Sequence, residues 1–142
     1  MDTVDNFLWT MAGDMGNTRL GVESYMEQYE IMIKIPIQIQ VKSLKSIAKN
    51  VNRFKKDLEK TCQLYQDQKI DKLYKMTKRQ LGGLRQLLLY RRNERMSDAI
   101  HDMLSNSASF IAVGAAHLSG KYGILRLLKS KGYQIKPIHN WQ

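Results

Sequence analysis

Three short groups of residues carry side chains suited to chemistry. The first is Gly114-Ala-Ala-His117, directly after the apolar run Phe110-Ile-Ala-Val113. A histidine just outside the carboxyl end of a strand sits where open α/β sheets collect ligands, and imidazole is both a base near neutral pH and a common metal ligand. The second is Glu23, which follows Gly21-Val22 and would also end a strand. A carboxylate and an imidazole on one sheet edge can bind a divalent metal or act as base and orienting group. The third is Arg91-Arg92-Asn93, where arginine can grip a carboxylate through two parallel bonds and asparagine can position a water or a backbone group. Each group also has a plain structural reading. A strand-end histidine can cap a turn, Glu23 can favour the positive end of the next helix, and the arginines can form a solvated face.

The other two histidines add nothing to these groups. His101 falls in a helical stretch beside Asp98 and Asp102, and His139 lies close to the end of the chain. Neither pairs with His117 by local spacing, and there is no HExxH cassette, Gly-rich phosphate loop, Gly-x-Ser-x-Gly elbow or cysteine nucleophile.

The elements that would position these residues follow from periodicity. Residues 2–12 read as a short helix with Asp2 or Thr3 as its N-cap, and 13–17 as a turn. Ser24, with Glu27 three residues on, has the capping-box pattern for a helix to about Ile33, which Pro36 ends. Leu44, Ile47, Ala48, Val51, Phe54 and Leu58 predict one long amphipathic helix. A further helix carries Leu64, Tyr65, Ile70, Leu73 and Tyr74, Gly82-Gly83 predicts a kink, and the pattern resumes to about Ser105. Ile124, Leu125, Leu127 and Leu128 form the stripe of a last helix, and Gly132 is placed to accept the positive φ of its C-terminus. Strand character over about 18–23, 109–114 and 133–138 then gives an α/β fold: a small sheet of short strands beside a long helical middle. Its last strand–helix–strand unit should be a right-handed crossover.

Composition sets bounds. The 142 residues suffice for one domain spanning 1–142, and the 43% hydrophobic content excludes general disorder. The apolar runs are too short to span a bilayer, and the acidic N-terminus lacks the basic and apolar regions of a secretory signal. This predicts a cytoplasmic protein. The lone Cys62 excludes an internal disulfide and reads as a small packed hydrophobe. The net charge of +10 is unevenly spread: residues 1–30 are net acidic, whereas 31–60 and 69–95 are strongly basic. Such a field attracts nucleic acid, anionic lipid or an acidic partner if the bases form one continuous stripe, and otherwise simply solvates helices. Scattered bases are expected.

Val113-Gly-Ala-Ala-His117-Leu118, with the loop, helix and Gly-Tyr strand from Gly120 to Ile138, resembles the second Gly-x-x-His motif of the TraB/GumN family, which includes the Tiki proteases. Leu20-Gly-Val-Glu23-Ser24, with Glu27-Gln28 after it, resembles the family's Gly-x-Glu segment. Arg92-Asn93-Glu94-Arg95-Met96 resembles its Arg-Asn segment, and Val4-Asp-Asn-Phe-Leu8 the helix before its glutamate strand. The segments run in the family's order over nearly the whole chain, as in the carboxyl-terminal half of such a domain. The resemblance implies a partial TraB/GumN-type domain of a metal-dependent, peptidase-like hydrolase. In that family two histidines and a glutamate are proposed to gather a divalent ion, Mn²⁺ or Co²⁺ in the Tiki proteases. By match, Glu23 and His117 would be two of these ligands, with Arg92 and Asn93 near the site. The family's first Gly-x-x-His is missing, so the resemblance implies an enzyme that is incomplete or inactive alone. Its partners would be a peptide substrate and a complementing amino-terminal half, or a second copy. Full-length relatives are often exported or membrane-associated. The alternative reading is a basic helical module that binds nucleic acid or an acidic protein.

Overall fold

Local caps set the first two helices. In the computed structural model, which describes residues 3–138, the Thr3 hydroxyl accepts from the Asn6 amide and starts α1, Val4–Asp14. The alternative cap, Asp2, lies outside the described residues, as does His139. Ser24 and Glu27 close the reciprocal box expected of them: the Ser24 Oγ accepts from the Glu27 amide, and Glu27 Oε2 accepts from the Ser24 amide at 2.7 Å. This starts α2, Tyr25–Ile33.

Pro36 caps α3, Ile37–Lys49, and here the expected single long helix divides. Asn50 leaves helical geometry at φ −145° and ψ 66°, and its side chain accepts from the Arg53 amide to begin α4, Val51–Gln66. The apolar period runs through this break because 3.6-residue spacing does not register one asparagine that prefers a cap to a helix interior. α5, Ile70–Leu81, ends at Gly82, whose φ of +52° makes the kink that the glycine pair predicts. A 3-10 turn at Gly82–Leu84 and a π-helical turn at Gln86–Tyr90 lead into α6, Arg91–Asn106. The last helix, α7, covers Ile124–Ser130. It ends in a Schellman cap: Gly132, at φ +95°, donates to the Lys129 carbonyl and Tyr133 to that of Leu128.

α6 is the spine of the packing. Its Met96 and Ile100 meet Ile124 and Leu128 of α7, with Val22, Leu104, Ile111, Val113, Tyr133 and Ile135 around them. Tyr74 of α5 packs with Leu89 and Tyr90 of the π-helical turn in a second cluster. By contrast, α1, α3 and α4 bury no residue.

The α/β expectation is overturned. Among the described residues no strand forms at 18–23, 109–114 or 133–138, and the regular structure is entirely helical. The alternation that suggested strands is real: Ile111 and Val113 turn inward around exposed Ala112, and Tyr133 and Ile135 around exposed Gln134. These side chains pack on α6 and α7, and the three segments exchange no backbone hydrogen bonds with one another. A strand requires a ladder partner, and period-two burial against helices produces the same sequence pattern without one. The expected crossover and sheet edge are therefore absent. Cys62 is also corrected: it is exposed on α4 and does not pack.

Candidate functional site

Two neighbours at the start of α6 each hold one of the chemically suited side chains. Arg92 donates to both oxygens of Glu23, from Nε at 3.0 Å and from Nη2 at 2.6 Å. Glu23's side chain is only 5% exposed, and Arg95 stands a further 3.7 Å from its Oε1. Fork-to-carboxylate pairing satisfies a buried charge that would otherwise be costly. It also pins the segment before α2 to α6.

Asn93 is fully buried and reaches the histidine loop. Its Nδ2 donates to the Tyr122 carbonyl at 2.6 Å, which fixes its Oδ1 as the acceptor toward His117 Nδ1 at 2.5 Å. The proton is thereby assigned to Nδ1, and the Nε2 lone pair is left for a proton or a ligand. Burial pushes the His117 pKa below its ordinary 6.5, the Arg92 charge adds to this, and the Glu23 charge opposes it. The ring is neutral at pH 7, as a base or a metal ligand must be.

The loop bearing His117 is held by contacts that the sequence reading missed. Ala115–His117 forms a 3-10 turn against α5. The Ser119 hydroxyl donates to Asp71 of α5. Gly120, at φ +89°, lies against the Tyr74 ring, and a Cβ there would fall 2.3 Å from the ring atoms. Gly123 packs on the Ser119 backbone, where a Cβ would come within 2.2 Å of a carbonyl oxygen. The Ser-Gly-x-x-Gly spacing over 119–123 was the available signal for this close packing.

His101 lies apart from this group. Its Nδ1 meets the Tyr133 hydroxyl at 2.7 Å, and neighbouring Asp98 pairs with Lys131. Ser97 Oγ, one turn beyond Asn93 on α6, is buried without a hydrogen-bond partner. Among the described residues no three His, Cys, Asp or Glu side chains are grouped to hold a metal ion. Glu23 and His117 give two donors, and both Glu23 oxygens already accept from Arg92. Catalytic metals usually take three protein ligands, so these residues alone do not fit a catalytic metal.

Comparison with known proteins gives a family match over residues 1–137, to the TraB/PrgY/gumN family. A protein of Danio rerio, Metalloprotease TIKI2, is 36% identical over 66 residues, covering 44% of this chain and 13% of that relative. Metalloprotease TIKI homolog of Amphimedon queenslandica is 35% identical over 77 residues, covering 47% of this chain and 15% of its own length. The chain thus spans a small fraction of the curated relatives it matches. No solved structure matches.

Proposed function

The chain belongs to the TraB/PrgY/gumN family, and from that premise we propose that Glu23, Arg92, Asn93 and His117 are its share of a metal-dependent, peptidase-like hydrolase site. The observation that carries this reading is the pairing at adjacent α6 positions, Arg92 with Glu23 and Asn93 with His117. It places the residues singled out by motif resemblance around one helix end. Asn93 holds the imidazole in one tautomer with Nε2 free, and Arg92 holds the carboxylate in one orientation. The donor set falls short of a catalytic metal site, so no metal-dependent step is assigned to these residues alone. The chain by itself is an inactive peptidase that gains activity only when further ligands are supplied.

Paramagnetic Mn²⁺ titration followed by NMR tests this reading. Selective broadening of the His117 ring signals, with His101 unaffected and no hydrolysis of a fluorogenic peptide library, is the expected result. Broadening that spares His117, or peptidase activity that survives His117→Ala, would overturn it.

One observation favours a second reading. A cleft between α4 and α5 is lined by Lys60, Lys72, Lys75 and Arg79 over Leu64 and Met76, with no acidic residue in its wall. None of the four cations forms an ion pair among the described residues. Such a cleft suits a phosphate or carboxylate group of nucleic acid or an acidic protein. Binding that weakens steeply with salt and is lost in Lys72→Gln/Lys75→Gln would support it.

A further inference from the structure

From Ile31 to Lys56 the chain contains no acidic residue, and it carries seven basic ones. Lys34 pairs with Glu30, whereas Lys42, Lys45, Lys49, Arg53, Lys55 and Lys56 form no ion pair among the described residues. The same stretch includes all of α3 and the first six residues of α4, helices that bury no residue; Asp57 and Glu59 then flank Leu58. On α3, Ile37, Val41, Leu44 and Ala48 recur at fours and threes, so they share one face. Ile37 is 62% and Leu44 69% exposed. Lys42, Lys45 and Lys49 occupy the adjoining sector of the same helix, and with Ile37 and Val41 they line a surface groove. On α4, Val51, Phe54 and Leu58 repeat the arrangement, all exposed, and Cys62 continues the row.

Exposed apolar rows in water are unfavourable, and several in sequence mark a surface that is covered in use. The charge pattern selects what covers this one. Two copies joined through this same stretch would set one cationic surface against another, which costs affinity. Nucleic acid would satisfy the lysines and leave the apolar row in water. A groove in an acidic protein takes one amphipathic helix, whereas here two successive helices separated by Asn50 present apolar faces. An anionic lipid surface satisfies both features: apolar side chains enter the boundary of the acyl region while lysines meet headgroups.

We propose that α3 and the first half of α4 form an interfacial, non-spanning docking surface for anionic lipid bilayers, with Ile37, Val41, Leu44, Val51, Phe54 and Leu58 inserting and the flanking lysines reading headgroup charge. No described helix is long and apolar enough to cross a membrane, so the contact is peripheral. This assignment is independent of the hydrolase reading.

The test uses the whole chain, with its one thiol, Cys62, carrying an environment-sensitive fluorophore. Vesicles of phosphatidylcholine alone are compared with vesicles containing about one-third phosphatidylserine. The expected result is a blue shift and co-sedimentation with the anionic vesicles only, both weakening steeply with salt. Leu44→Asp/Phe54→Asp should lower partitioning at least about tenfold. Because these side chains are exposed, the variant should keep the helical circular dichroism of the parent, and Leu20→Asp serves as a control that binds normally. Lys42→Gln/Lys45→Gln/Lys49→Gln keeps the apolar row and should lose the preference for anionic lipid. Equal binding to neutral vesicles, no vesicle binding, or full binding by either variant would overturn the proposal. So would binding of RNA or of poly-glutamate through these residues in a chain that ignores vesicles.

Discussion

Asn93 and His117 are 24 positions apart, yet the Asn93 Oδ1 lies 2.5 Å from the His117 Nδ1. The amide is anchored on its other side by the Tyr122 carbonyl, so one buried side chain sets both the loop and the tautomer of the ring it carries. Removing it has two separable effects. Asn93→Ala leaves the Tyr122 carbonyl and the His117 N–H without this partner, at a cost of about 2–3 kcal/mol in urea unfolding. It also allows the imidazole proton to exchange between ring nitrogens, which ¹⁵N chemical shifts of His117 report directly.

Acid should weaken the fold through His117. Its pKa in the folded chain lies below the ordinary 6.5, so the unfolded chain binds the proton first as pH falls. The contribution of the neutral, buried ring is therefore complete above about pH 6.5 and declines from there down to the folded pKa. Urea unfolding of the wild type and of His117→Gln from pH 7.5 to 5 measures this, with the variant expected to show the shallower decline. Equal slopes would mean that the ring is not desolvated.

Arg92 and Glu23 form a pair whose halves should not be removed singly. Arg92→Ala removes both short bonds to a carboxylate that is 5% exposed and leaves it only Arg95, at 3.7 Å, a loss expected to cost about 3 kcal/mol. Glu23→Gln in the same chain removes the stranded charge and should recover part of that loss. A double-mutant cycle read by thermal unfolding gives the coupling between them, and no recovery would argue against the buried pair.

Gly120 and Gly123 tolerate no side chain, for different reasons. Gly120→Ala drives a methyl into the Tyr74 ring from a φ of +89°, and Gly123→Ala drives one into the Ser119 carbonyl. Each should cost about 2–4 kcal/mol. A useful comparison is Gly83→Ala, which meets no atom within 4 Å and should be neutral or mildly stabilising by thermal melt.

Tyr74 reports on the same packing by spectroscopy. Burial, with the Tyr90 phenol packed beside it, pushes its phenol up to about 12. Ultraviolet titration should find one tyrosine ionising well above the rest, and Gly120→Ala, by displacing the ring, should bring that transition down toward the ordinary value of 10.0. A titration unchanged by the substitution would separate Tyr74 from the Gly120 contact.

What the sequence determined by itself was local. Thr3 and the Ser24–Glu27 box start helices with bonds three residues long, Pro36 and Gly82 interrupt them, and Gly132 accepts the φ that a helix end requires. Such features are decided by neighbours within one turn, so residue type suffices to read them. The motif resemblance likewise named the family that the match over residues 1–137 shows, and it singled out Glu23, Arg92, Asn93 and His117 for the proposal above. What the tertiary structure decided was which side chains meet and what the extended segments pack against. Arg92 meets Glu23 across 69 positions, Ser119 meets Asp71 across 48, and no local pattern encodes either contact. The alternation at Ile111–Val113 and Tyr133–Ile135 fits a strand in a sheet as well as a segment lying on helices, because both bury every second side chain. The difference lies in whether the backbone finds a ladder partner, and here the apolar faces of α6 and α7 take the side chains without one.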